Sequence, residues 1–386
     1  MELKIGDCSA IGLTKIYDTP LYVYDKNIIL KKIQELKESF PNTNICYAIK
    51  ANSNPEILKL IASQNIGADC SNRVELEWAN RAGFDMTKSI FTSVNPRDDD
   101  LKKALELGVI INLDDISIFK RLTRYGKPNR ISFRINPGFG KGKFPGIIVG
   151  GSGTKFGMNE DLACEAYKLA KESGIEHFGI HMMTGSCVLH EDYFEELTLA
   201  IQDIAERIES VINIRFEFID IGGGLGIPYE PHEKNLNIKR IGERVTLAFK
   251  HSAKLMLEPG RYIIGEAGTL LTQITTIKNN FIGVDAGMST LLRPALYGAY
   301  HPIVLANNLD LENIQEANIV GPCCENTDFF AKNRAMPKVE EGNILAIQVA
   351  GAYGFVMSSN YNGILQPSEV LVDQEKHNLI RERKII

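Results

Sequence analysis

Between residue 27 and about residue 260 the chain repeats one unit eight times, a short and almost continuously apolar run followed by a stretch with apolar residues at helical spacing. The runs are Ile45–Ile49, Ile66–Cys70, Ser89–Val94, Val109–Leu113, Ile131–Ile135, Phe178–Met182, Phe216–Ile221 and Lys254–Leu257. An apolar run without alternation suits a strand buried on both faces, which is the condition of a parallel sheet covered by helices. The stretches between carry helix signals: Asn54 stands as N-cap before Pro55 at the first helical position, and Tyr193–Ile208 has apolar residues at helical spacing. Eight strand–helix units over roughly 230 residues match the size and rhythm of a TIM-like (β/α)8 barrel.

After Arg261 the helical spacing stops and β-rich pieces follow: Thr269–Ile277, Asn280–Val284, Asn343–Val349, Glu369–Val372 and Leu379–Ile385. The expected fold is therefore an α/β barrel plus an all-β domain, the latter a mainly antiparallel β-sandwich or barrel. Pro20–Asp25 is strand-like and precedes the first barrel helix, so residues 1–26 are expected to pair with the C-terminal domain. That gives an N-terminal segment 1–26, a barrel 27–261 and a β domain 262–386. Gly140–Gly157 is the one long glycine-rich loop, the kind of excursion that lies near ligands.

Composition removes several function classes. A net charge of −5 gives no electrostatic footprint for nucleic acid. No apolar run approaches the roughly 20 residues of a membrane span, and the N-terminus lacks a basic flank and apolar core, so a soluble cytoplasmic protein is expected, with no membrane partner. The seven cysteines are scattered without a C-x-x-C pair, which fits neither a disulfide framework nor a structural zinc site; no metal is expected.

In such a barrel the active groups sit where the strands end. Lys50 follows the first run, Asp69-Cys-Ser the second, Arg134 the fifth, His181 to Ser186 the sixth, Asp220-Ile-Gly-Gly-Gly224 the seventh and Glu258-Pro-Gly-Arg261 the eighth. A lysine after a strand is ordinarily a solvated terminus, and a glycine triplet alone is as well read as a tight turn. Together the glycines after strands seven and eight sit where this fold often holds a phosphate. The order G-G-G-L-G is not a dinucleotide fingerprint. An amine, a phosphate cradle and a carboxylate at adjoining strand ends suggest pyridoxal phosphate, the lysine bonding its aldehyde and the acid pairing with its ring nitrogen.

The segments Tyr47-Ala-Ile-Lys50-Ala-Asn, Asp220-Ile-Gly-Gly-Gly, Glu258-Pro-Gly-Arg, Gly321-Pro-Cys-Cys-Glu-Asn-Thr-Asp328 and Gly351-Ala-Tyr-Gly354 resemble, in collinear order over nearly the whole chain, the pyridoxal-phosphate amino-acid decarboxylases built as a barrel plus a β domain, and among them the diaminopimelate decarboxylases. The resemblance implies pyridoxal 5'-phosphate as cofactor and Lys50 as the lysine that bonds it. Around the phosphate it implies Ser186, Gly223, Gly224, Gly260, Arg261 and Tyr353. Glu258 would protonate the ring, and Asp69, Glu75 and Arg134 would arrange lysine and cofactor. Cys324 would return a proton after CO2 departs, supplied across the interface of a homodimer with shared sites. A thiol, with an ordinary pKa of about 8.5, suits that task. Cys323 beside it is expected only to pack.

Arg293 and Tyr297, in Leu292-Arg-Pro-Ala-Leu-Tyr-Gly-Ala-Tyr-His301, resemble the pair that holds carboxylate groups of a substrate with an amino-acid head at both ends; Arg261, Glu325 and Tyr353 complete the expected substrate contacts. The implied reaction is decarboxylation of meso-2,6-diaminopimelate to L-lysine, the last step of lysine biosynthesis. One position departs. Where the family reads His-x-His-x-Gly-Ser, this chain reads His181-Met-Met183-Thr-Gly-Ser186, so Met183 replaces the histidine that stacks on the cofactor ring. That leaves open a decarboxylase of another amino acid in a specialised pathway, and a non-catalytic cofactor-binding regulator. A racemase of the alanine-racemase type would lack the Cys-Glu-x-x-Asp signature.

Overall fold

The computed structural model describes residues 1–151 and 153–383. The chain forms two compact units: one comprises residues 32–227 and 234–262, the other residues 1–31, 228–233 and the chain from Ile263 onward.

The first unit is a closed barrel of eight parallel strands. They are Asn44–Ala48, Gly67–Cys70, Ile90–Ser93, Ile110–Leu113, Arg130–Ile135, His177–Met182, Phe216–Asp220 and Lys254–Leu257, each within two residues of an expected run. The ring closes where Met256 and Leu257 pair with Asn44 and Ile45. The intervening helices start where short polar side chains satisfy the first free N–H groups: Asn54 accepts from Glu56 N, Asn72 from Val74 N and Glu75 N, Asp115 from Ser117 N, and Asn159 from Leu162 N. Gly83 and Gly108 end two of them in the left-handed conformation. The barrel interior holds a buried cluster of Cys46, Ile90, Ile110, Phe218 and Met256, and toward the strand ends it turns polar with Asn112, Ser132, His181 and Asp220, all fully buried.

The second unit is a nine-stranded sheet. Its long strand Gly268–Lys278 pairs antiparallel with Leu21–Asp25 and Ile344–Ile347 at one end and with Phe281–Val284 at the other. Leu21–Asp25 is wholly buried and also pairs, in parallel, with Ser368–Asp373. A second parallel pairing joins Phe281–Val284 to Gln315–Val320. Three strands of this sheet escape the sequence pattern, Ile303–Leu305, Gln315–Val320 and Phe329–Met336, as does the separate short pair Lys4–Ile5 and Cys8–Ser9. Gln315–Val320 and Phe329–Met336 carry exposed polar residues at Gln315 and Glu316 and at Lys332 and Asn333, which interrupt the pattern that marks a strand. The expected run Leu379–Ile385 is shifted to Lys376–Arg381, and its last two residues lie outside the described residues.

Pro228–Glu233 groups with the β unit although sequence order puts it between barrel strands. Tyr229 contributes to this grouping, its ring lying 4.5 Å from the Arg293 guanidinium and 5.3 Å, edge on, from His301. Among the described residues no helix is long and apolar enough to cross a membrane.

Gly179 in the sixth barrel strand has no room for a side chain, because a Cβ there would run into the Phe218 ring. Gly179→Ala should therefore cost about 1–3 kcal/mol of stability, read as a lowered thermal midpoint, and Phe218→Leu in the same chain should recover most of it. An unchanged midpoint in the single variant would mean that this layer has slack.

Candidate active site

Lys50 lies in a one-turn 3-10 helix, Ile49–Ala51, that follows the first barrel strand. Buried polar contacts fix the turn: the Tyr47 hydroxyl donates to Asn52 O at 3.0 Å, and Asn54 N donates to Asn52 Oδ1 at 3.0 Å. The Lys50 ammonium pairs with Asp69 Oδ2 at the end of the second strand; the lysine is half-exposed and the aspartate buried. Glu75, in the first turn of the helix Arg73–Ala82, bends back to accept Ser71 N at 2.6 Å. Burial pushes the Asp69 carboxyl up to about 7, with Glu258 adding to the rise and Lys50 opposing it. Burial raises Glu75 too, against the pull of Lys50 and the Ser71 hydrogen bonds.

Glu258, beyond the eighth strand, faces His181 from the sixth: His181 Nε2 donates to Glu258 Oε2 at 3.2 Å with both groups buried. Burial works against the charged form of Glu258, yet its carboxyl ends below the usual range because His181, Lys50 and Arg134 together outweigh burial. Asp220, at the end of the seventh strand, goes the other way. Burial and then the Glu258 charge hold its carboxyl well above the usual range, although Gly222 N donates to it at 2.7 Å. Arg134 is buried, donates to Met183 O at 3.0 Å, stands 3.9 Å from Asp114 Oδ1 and covers the Phe156 ring at 4.5 Å. His181, Asp220 and Glu258 bring one ligating atom each to within 4.8 Å of one another, a spacing that is also compatible with a cation. After the seventh and eighth strands, Arg261 donates to Ser186 Oγ at 3.3 Å. Gly260 is required by space, since a Cβ there would stand 2.9 Å from that of Ala51 and 3.0 Å from that of Ala48.

The β unit carries the remaining predicted residues. Arg293 is buried at the start of the short helix Arg293–Tyr297 and its NH1 meets His301 Nε2 at 2.9 Å. A guanidinium can only donate, so His301 Nε2 accepts and Nδ1–H donates to Gln348 O at 3.0 Å, which fixes a neutral tautomer. Tyr297 and Tyr353 are half-buried, and Tyr353 has a positive φ of 57°. Cys324 and Glu325 are exposed, and Cys324 N donates to Asn362 Oδ1 at 2.9 Å. Cys323 is buried with its thiol on Ser289 Oγ at 3.6 Å. Asp328 is the organiser of this loop: one oxygen accepts Met288 N at 2.6 Å and the other Cys323 N at 2.7 Å.

Residues 26–265 match the family described as pyridoxal-dependent decarboxylase, pyridoxal binding domain. The chain belongs to the pyridoxal-dependent decarboxylases. It is 41% identical to a diaminopimelate decarboxylase of Methanothermobacter thermautotrophicus over 99% of this chain and 93% of the relative. A Helicobacter pylori diaminopimelate decarboxylase solved with L-lysine superposes with a TM-score of 0.91 at 34% identity, over 97% of this chain and 96% of that one. The Vibrio vulnificus lysine/ornithine decarboxylase solved with putrescine, TM-score 0.82 at 19% identity, shares the fold.

Pyridoxal phosphate is the cofactor of this decarboxylase family, and the barrel residues fit it. Buried atoms without a protein partner converge at the strand ends: Asp69 Oδ1, His181 Nδ1, Asp220 Oδ2 and Glu258 Oε1. Such atoms are costly unless a ligand or water completes them. Glu258 Oε1 offers an acceptor to a ring N–H, and the Gly224 N–H, at φ 97°, has no acceptor among the described residues and offers a donor to a phosphate. The barrel brings together Lys50, Asp69, Glu75, Arg134, Met183, Ser186, Gly223, Gly224, Glu258, Gly260 and Arg261; Arg293, Tyr297, Cys324, Glu325 and Tyr353 lie in the β unit. The sequence placed His181 and Asp220 at strand ends without assigning them a role, and named neither Asp114 nor His301 and Tyr229 as supports of Arg293. Each of the first three follows or ends an apolar strand run, which was the available signal.

Asp69 gives the site a pH signature. Its carboxyl titrates near 7 when folded and near 3.9 unfolded, so the folded chain binds the proton more tightly. Its stabilising contribution is present below about pH 4 and is lost as pH rises to about 7. In thermal unfolding of the cofactor-free protein, Asp69→Asn should gain on the wild type between pH 5 and pH 8; parallel pH curves would refute the raised value.

Proposed function

We propose that this chain decarboxylates meso-2,6-diaminopimelate to L-lysine and CO2, the closing step of lysine biosynthesis. The observation that carries this reading is full-length likeness to diaminopimelate decarboxylases on a barrel whose strand ends hold a paired lysine, buried carboxylates and an open glycine amide. When bound, pyridoxal phosphate supplies an aldehyde that links to an amine and a ring that takes up the electron pair left when the carbon–carboxylate bond breaks. The chain's own groups do the rest. Asp69 keeps the Lys50 ammonium oriented and, with a carboxyl near 7, can hold or release a proton at that amine near neutrality. Glu258, kept ionised by His181, Lys50 and Arg134, holds the proton on the ring nitrogen. Arg261 and Ser186, with Gly224, hold the phosphate.

Arg293 supports the choice of substrate. Its NH1 meets His301 Nε2 and its guanidinium carbon lies 4.5 Å from the Tyr229 ring centroid, contacts that orient a group suited to bidentate grip on a distal carboxylate. Exposure of the Cys324 loop supports delivery of a proton from its thiol across a dimer interface, and we place the working enzyme as a cytoplasmic homodimer with shared sites.

The direct test is CO2 release by purified protein with added cofactor, offered meso-diaminopimelate, L-lysine, L-ornithine or L-arginine. Release from diaminopimelate alone is expected, with activity and cofactor absorbance both lost in Lys50→Ala; release from another amino acid alone would replace the substrate. Arg293→Ala should raise KM for diaminopimelate by roughly 10- to 100-fold, from loss of a charge-assisted contact, while inhibition by cadaverine, which has no carboxylate, changes little. Equal losses for both would remove Arg293 from carboxylate recognition.

A further inference from the structure

The departure at Met183 has a specific contact. The side chain crosses from the end of the sixth barrel strand to the glycine turn after the seventh, and Gly223 N–H donates to Met183 Sδ at 3.2 Å. The sulfur is seated against the backbone: a Cβ on Gly222, which has a φ of 72°, would stand 2.8 Å from it. The rest of the turn is tied down by conventional bonds. Gly222 N donates to Asp220 Oδ1 at 2.7 Å, Gly222 O accepts Glu258 N at 2.8 Å, and Gly224 O accepts Val188 N at 2.9 Å. Of the three amide donors, Gly222 is held by a carboxylate, Gly223 by the thioether, and Gly224 is left open.

We infer that Met183 is a positioning residue of the cofactor cradle, its sulfur holding the Gly223 amide inward so that the Gly222–Gly224 turn presents the Gly224 N–H to the cofactor phosphate. This role differs from covering the ring, the role that the resemblance gives to the histidine at this place. A leucine fills the same volume and can cover a ring, but has no lone pair for Gly223. Without an acceptor the glycine turn, whose residues have few steric restraints, is free to rotate that peptide away.

Amide exchange in the cofactor-free protein, followed at Gly223, separates the two roles, because no ring is present to be covered. Met183→Leu should lower Gly223 protection about three- to tenfold, the scale of one net hydrogen bond. It should weaken pyridoxal phosphate binding, measured by titration of the cofactor-free protein, by a similar factor. Met183→Gln, of similar reach and with an amide oxygen, should restore part of both. If Met183→Leu does not fold, Met183→Ala is read in the same way. Unchanged Gly223 protection would overturn the inference, and so would lost protection with unchanged or tighter cofactor binding.

Discussion

The site depends on the seam that closes the barrel. Only when Lys254–Leu257 pairs with Asn44–Ala48 do the first and last strands of the repeat become neighbours. That pairing brings Lys50 and Glu258, near opposite ends of the barrel sequence, close enough for the ammonium to help keep the carboxylate ionised. Gly260 shows how close the seam is. Its neighbours Ala48 and Ala51 leave no volume for a methyl group, and Pro259 O accepts Ala48 N at 3.4 Å across the same gap. A side chain at Gly260 would push the strand-eight loop off the lysine turn, and the charges would lose the contact that pays for their burial.

The closed ring then holds an arrangement that a flexible surface would not. Desolvation costs several kcal/mol per buried ion, so buried charges persist only with partners. Here acids and bases alternate around the strand ends: Lys50 with Asp69, His181 with Glu258, Arg134 near Asp114. The set is not fully satisfied. Orphan oxygens on Asp69, Asp220 and Glu258 and the unbonded Nδ1 of His181 leave a buried polar cluster with hydrogen-bonding capacity unmet by the protein. The divergent titration of Asp220, held up, and Glu258, held down, follows from the same crowding, since two buried carboxylates this close are not both ionised at low cost.

The β unit buries an arginine of its own. Arg293 is nearly inaccessible, and its guanidinium meets the ring nitrogen of His301 and the face of Tyr229. A planar guanidinium fixed by such contacts is oriented in advance of any ligand. The segment Pro228–Glu233 groups with this unit and supplies that aromatic face. Asp328 does comparable work for the Cys323–Cys324 loop through two backbone amides.

Local pattern alone determined the eight barrel strands, because a strand buried on both faces must be apolar at every position, and it placed Lys50, Asp69, Arg134 and Glu258 at their ends, because barrel chemistry collects there. It determined the β-rich nature of the C-terminal third, but not Gln315–Val320 and Phe329–Met336, whose exposed polar residues interrupt the pattern. Tertiary structure decided what no spacing encodes. It paired His181 with Glu258, Arg293 with His301, and the sulfur of Met183 with the amide of Gly223. Each is a hydrogen bond between residues on different elements, and its existence depends on distances and tautomers set by packing. The sequence names the groups, and the folded chain alone fixes which proton each of them holds.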